Sequence, residues 1–185
     1  MNKYNTLFGQ LLGVLGRSRF DSLVKKYDSD KYCNGNATWM QLTAMLYAQI
    51  TDANGLRSIE NAFARNSSAS YHLGLDRKIK RSSLSYANNT RDCSIFYELF
   101  TMLSSELTSG GRRKMKKKLF AVDATVISLN KNDYGWADFR EAKAGIKVHV
   151  QYSVDDKSPT YFFITNAKEH ENNTMEDMDL KKGDR

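Results

Sequence analysis

Residues 119–129 read LFAVDATVISL. The run is almost continuously apolar and rich in β-branched side chains, the pattern of a central strand buried on both faces. Asp123 sits in its middle. A lone carboxylate is expensive to bury. Asp123 must therefore be hydrogen-bonded, paired or metal-bound, or lie where the strand opens onto a cleft. Thr125 follows two residues on, on the same face.

Downstream, residues 130–142 (NKNDYGWADFREA) form a polar loop. From Gly145 to Val154 the pattern alternates strictly. Ile146, Val148, Val150, Tyr152 and Val154 fall on one face, and Lys147, His149 and Gln151 on the other, which predicts a strand with unlike faces. His149 on the polar face reads as a surface or hydrogen-bonded histidine, although that face could line a cleft. Asp155 to Ser158 turns the chain and Tyr161 to Ile164 makes a third strand. Lys168 to Leu180 is acidic and reads as a helix with Met175 and Met178 inward.

Upstream the chain is helical and basic. Leu7, Leu11 and Leu15 share helical spacing with Phe8 and Leu12, and Gly16 separates them from a second segment carrying Phe20, Leu23, Val24 and Tyr27. Thr38 reads as the N-cap of a helix running through Trp39, Leu42, Met45, Leu46 and Ile50. Asp52–Gly55 is a turn, Leu56, Ile59 and Phe63 mark a short helix, and Asn66–Ser70 is a loop. Ser82 or Ser83 caps an amphipathic stretch from Leu84 to Leu107, with a break near Asn88 and Asn89, and Ser109–Gly111 ends it. The helices at 56–65 and 82–90 are compatible with a helix-turn-helix.

Charge divides the chain at the same place as the pattern. Residues 1–118 carry 19 basic and 9 acidic residues, a net of +10, and residues 119–185 carry 9 and 12, a net of −3. Arg77, Lys78, Lys80 and Arg81 lie just before a capped helix, where an N-terminus adds N–H donors for phosphate. Arg112, Arg113, Lys114, Lys116, Lys117 and Lys118 put six cations in seven residues. Such clusters supply most non-specific nucleic-acid affinity. No run of 18 or more apolar residues exists, so no membrane partner is expected. The opening residues lack a clear cleavage site and read as the first helix of a soluble, cytoplasmic protein. Cys33 and Cys93 read as two reduced thiols.

Several blocks, in order, resemble a bacterial insertion-sequence transposase of the DDE type, with a helical N-terminal domain and a ribonuclease-H-like core. NTLFGQLL, RSRFDSLVKKYDSDKY and TWMQLTAMLYAQITDANGLRSIE resemble the N-terminal domain, and SSLSYANNTRD the segment before the core. LFAVDATVISL resembles the strand bearing the first catalytic aspartate, and KAGIKVHVQYSVD and ITNAKEHEN the strands and turn that follow. The resemblance implies an α+β fold: a helical domain at 1–75, a helical connector with a basic linker at 76–118, and at 119–185 the first three strands and a helix of an incomplete ribonuclease-H-like core. It implies that Asp123 is catalytic and a metal ligand. It implies transposon-end double-stranded DNA as the partner, with room for a homodimer in a synaptic complex, and the basic clusters offer Arg77, Lys78, Lys80, Arg81, Arg112, Arg113 and Lys114 as the contacts. His170, where that family also has a histidine, reads as part of a structural turn.

The family's second aspartate and later glutamate have no counterpart, and Asp184 resembles a residue before the second motif. The chain therefore reads as a truncated N-terminal half. The complete enzyme would use Mg²⁺ or Mn²⁺ to cleave and transfer DNA strands, whereas one carboxylate would not hold a metal pair stably, so activity of this chain is left open. The alternatives are a non-catalytic DNA-binding remnant or regulator of transposition, and a basic helical interaction protein without a DNA role.

Overall fold

A computed structural model of the chain describes residues 6–33, 37–109, 119–130, 132, 134, 136–140 and 143–168. The chain divides into two compact units, Met1–Leu99 and Phe100–Arg185. The secondary structure is α+β: helices first, then an antiparallel sheet.

The first unit begins with α1 (Leu7–Leu15), whose N-cap Thr6 accepts a bond from the Gly9 N–H at 3.1 Å. Gly16, at φ +73°, turns directly into α2 (Arg17–Lys26). The long α3 (Thr38–Thr51) is followed by α4 (Leu56–Arg65), α5 (Ser67–His72) and α6 (Arg81–Thr90), and α7 (Ser94–Ser109) runs across the division at Leu99. The core is aromatic and aliphatic. Phe20, fully buried, packs 5.8 Å from Trp39 and 6.5 Å from Phe96, ring centre to ring centre. Leu84, Ile95, Ala44 and Ile59 are buried as well. Helix α6 packs on both α3 and α4.

In the second unit β1 (Phe120–Leu129), β3 (Lys143–Ser153) and β4 (Ser158–Asn166) form an antiparallel meander, the three strands expected from the sequence. β3 is central. β1 pairs along one edge of it, and β2 (Asp138–Arg140) and β4 pair in succession along the other. The β3–β4 turn is closed by Ser153, whose hydroxyl donates to Asp156 Oδ2 at 2.8 Å and accepts from the Asp156 N–H at 3.1 Å. Pro159 falls in β4, beside a register shift at Gln151 and Tyr152. That is where a residue without an N–H is tolerated.

The structure corrects several expectations. β1 is not a central strand buried on both faces. Among the described residues it is an edge strand, with Val122, Val126 and Ile127 all at least 40% exposed and Asp123 exposed too. A continuous apolar run reports what a strand can bury, whereas burial depends on what is laid over it. The alternation in β3 is real, but its polar face is the more deeply buried: His149, Gln151 and Ser153 are buried, while Tyr152 and Val154 are about 40% exposed. The loop at 130–142 contains β2, and the loop at 66–70 is mostly α5. Thr38 is the first residue of α3, not its cap. Its N–H and hydroxyl both donate to the Asp30 carboxylate at 2.7 Å. Neither Ser82 nor Ser83 is a cap, because α6 already starts at Arg81. The break before α7 falls at Arg91–Cys93, and the Asp92 carboxylate accepts the Ser94 N–H at 2.9 Å. On α1, Leu7 and Leu11 face solvent while Leu12 is buried. The helix expected over 168–180 lies beyond the described residues, apart from its first position.

Candidate nucleic-acid interface and carboxylate strand

The basic segment 77–81 is held outward by its apolar neighbours. Trp39 Nε1 donates to the Leu73 carbonyl at 2.9 Å, and Leu75 and Ile79 are both 5% exposed. Gly74 lies between Leu73 and Leu75 at φ +74°, and a Cβ there would meet Arg17 Nη1 at 3.1 Å. With Leu75 and Ile79 turned inward, Arg77, Lys78 and Lys80 are turned out to solvent. Arg81, the first residue of α6, is exposed beside them.

These cations border a groove of about 970 Å³. Arg77, Lys78 and Lys80 come from the loop, Ser82, Ser83 and Tyr86 from α6, and Lys31, Tyr32 and Cys33 from the turn after α2. Arg91 also reaches the groove, but its role is to hold the turn. Its guanidinium donates to Gln41 Oε1 at 2.9 Å, to Cys33 Sγ at 3.2 Å and to the Ser29 carbonyl at 3.4 Å, and lies 3.6 Å from Asp30 Oδ1. Asp30 in turn caps α3. The two carboxylates that line the groove are both engaged: Asp28 lies 3.7 Å from Lys31 Nζ, and Asp92 caps α7. That backbone bond from Ser94, followed by a side-chain one, holds the Asp92 carboxyl below the usual carboxylate range.

The structure therefore brings Arg77, Lys78 and Lys80 together at one groove, with Arg81 adjacent. Arg112, Arg113 and Lys114 lie outside the described residues. Sequence reasoning missed Lys31, Tyr32, Tyr86 and Arg91. Tyr86 was legible in part: Leu84 and Ala87 set the buried side of α6, and residue 86 falls away from it. Tyr32 and Arg91 sit outside any periodic element, so no spacing marks them.

On the sheet, register separates the two residues that a shared cleft would have joined. Asp123 pairs with Val150, so its face also carries Thr125, Val148 and Tyr152. His149 pairs with Ala124 on the opposite face, stacked 4.6 Å from the Phe163 ring with Nε2 2.9 Å from Thr165 Oγ1. It is a packed, hydrogen-bonded histidine and does not line the face of Asp123. The Asp123 carboxylate accepts the N–H of Ala124 at 2.8 Å. Among the described residues no group of three or more His, Cys, Asp or Glu is placed to hold a metal ion. His170 with Glu169 and Glu171 lies outside the described residues, and neither Cys33 nor Cys93 is in a disulfide.

A helical unit with a cationic groove, followed by an antiparallel sheet with a carboxylate in the middle of its first strand, defines an α+β class of two-part chain. Comparison with known families makes this specific. Residues 114–184 match the family described as Transposase DDE domain, and residues 3–76 match a Domain of unknown function (DUF4372). The C-terminal part of the chain thus resembles a DDE transposase domain. It is similar to a probable transposase for insertion sequence element IS5377 from Geobacillus stearothermophilus, 30% identical over 79 residues. That match covers 42% of this chain and spans 21% of the relative's length. No solved structure matches. Among the described residues no helix is long and apolar enough to cross a membrane.

Proposed function

We propose that the chain is part of an insertion-sequence transposase, its helical unit binding transposon-end duplex DNA and its sheet supplying Asp123 as one catalytic carboxylate. Residues 1–75 are the helical DNA-binding domain, 76–118 a basic connector, and 119–185 the beginning of a ribonuclease-H-like core. The observation that carries this reading is the set of cations at 77–81, held outward by the buried Leu75 and Ile79. Fixed Lys and Arg side chains bind phosphate by releasing condensed counterions, so affinity falls as a power of salt concentration. Four phosphate contacts give a slope of roughly −3 to −4 in log K against log salt on duplex DNA. A gel-shift titration on transposon-end duplex should find binding at low salt with such a slope. Absence of binding at low salt overturns the reading.

The proposal for the sheet is narrower. Strand cleavage and transfer of the two-metal kind require several oxygen ligands around the reacting phosphate. Asp123 faces Val150 and Thr125, which supply no second carboxylate. The 185 residues by themselves therefore bind DNA without cutting it and act, when alone, as a regulator that occupies transposon ends. Incubation of supercoiled end-bearing plasmid with Mg²⁺ should leave it intact. Nicking that vanishes in Asp123→Ala would refute this part and leave the DNA-binding part standing.

A further inference from the structure

We propose that the groove between the 27–33 turn and α6 binds an unpaired stretch of DNA, its bases stacking on Tyr32 and Tyr86 and its phosphates held by Lys78 and Lys80. This deepens the DNA-binding reading above and rests on it.

Tyr32 is 92% exposed and Tyr86 is 71% exposed, and both border the groove. Neither exposure is a packing failure. On α6 the flanking Leu84 and Ala87 are buried, so Tyr86 points away from a core that is already filled. Tyr32 is at φ +60°, a conformation bulky residues rarely adopt. Its turn is held there by two long-range anchors, Asp30 on Thr38 and Arg91 on Ser29 and Cys33. A strained backbone persists where the surroundings over-determine it, and it clusters at binding sites. Here it presents an aromatic ring to solvent beside Lys31, whose Nζ lies 5.8 Å from the ring centre.

The shape decides between duplex and single strand. A duplex is read by convex elements, a helix or a ribbon, that enter its grooves. The site here is concave, and its volume of about 970 Å³ is that of a pocket enclosing a small ligand. A flexible strand can lower unstacked bases into such a groove, whereas a duplex can only lie across its rim on the same cations. Aromatic faces interleaved with cations are the usual platform for single strands, because every base has a face to stack while the cations track the backbone. Lys31, Arg77, Lys78, Lys80 and Arg91 line the groove against only two carboxylates, Asp28 and Asp92, so the field a phosphate meets there is positive.

The test is fluorescence anisotropy on the full chain at fixed salt, with three labelled probes of equal length: an oligothymidine strand, an abasic strand and a duplex. The oligothymidine should bind about tenfold or more tightly than the abasic strand, since stacking is the difference between them. The double variant Tyr32→Ala with Tyr86→Ala should lose that advantage and keep its duplex affinity, with Tyr32→Phe and Tyr86→Phe retaining both. Equal binding of thymidine and abasic strands by the unmodified chain overturns the proposal without touching its fold. So does an alanine double variant, melting as the parent does, that holds the strand as tightly or loses duplex and strand alike. Duplex binding without a strand preference removes this inference alone. No binding of any probe at low salt removes the DNA-binding reading with it.

Discussion

Arg91 is 10% exposed on its side chain and meets a glutamine, a thiol, a carbonyl and a carboxylate, so its removal breaks several contacts at once. The partners differ in weight. Asp30 is 37% exposed, and an ion pair so near water contributes little. Gln41 is 4% exposed, and stranding its acceptor is the larger cost. Arg91→Ala should destabilise the chain by about 2 kcal/mol in denaturant titrations, and Arg91→Lys should recover little of it, because one ammonium cannot span the same partners. Asp123 is the opposite case. It is exposed, so Asp123→Asn should shift stability by no more than about 0.5 kcal/mol in a thermal melt. A larger loss would mean that the carboxylate is already bound into the fold. Glu98 supplies the pH dependence. Lys26 Nζ donates to its carboxylate at 2.6 Å and so does the Tyr27 hydroxyl, and in that order they hold its pKa below the ordinary glutamate range. A lowered folded pKa stabilises above the unfolded value, and that contribution is lost as pH falls through the folded one. Melts from neutral pH down to about pH 3 should therefore decline more steeply for the parent than for Glu98→Gln. An identical decline would remove Glu98 as a cause.

The loop at 73–80 shows how an element without regular structure can still be rigid enough to bind. Three inward residues, Leu73, Leu75 and Ile79, are interspersed with charged ones that are exposed. The buried half was not apparent in advance, because the segment is short and reads first as a basic cluster. Ile79→Ala should cost about 2–4 kcal/mol through lost burial and the cavity left behind. It should also weaken duplex binding although it removes no charge, which a gel shift at matched salt measures. Unchanged binding in a folded variant would mean that the cations act as a loose cloud and that their placement is irrelevant. The strands make a related point. Strict alternation from Ile146 to Val154 established β3 and which residues share a face, and the register of β1 then put Asp123 and His149 on opposite sides. Pairing register lies between strands and belongs to neither sequence alone.

At the scale of the molecule, β1 offers an apolar edge with no partner strand among the described residues. Long, exposed, β-branched edges template pairing with further chains. The isolated 185-residue chain should associate with rising concentration in sedimentation velocity, and Val122→Lys on that strand should reduce it. A monomer at all concentrations would show the edge to be covered.

The residues alone determined the change from helices to strands near residue 119, most of the helices from their apolar spacing, the three long strands, the two cationic clusters and the transposase resemblance. These are local or additive properties: periodicity, turn chemistry and summed charge are written within a few residues of one another. Only the tertiary structure decided that β3 and not β1 is central, that the polar face of β3 is the buried one, and that Asp30 caps a helix eight residues on. It alone joined Tyr32 and Tyr86, 54 positions apart, around one groove with Lys78 and Lys80. Each depends on which surface is laid against which, and that is set by contacts between segments whose own sequences carry no record of their partners.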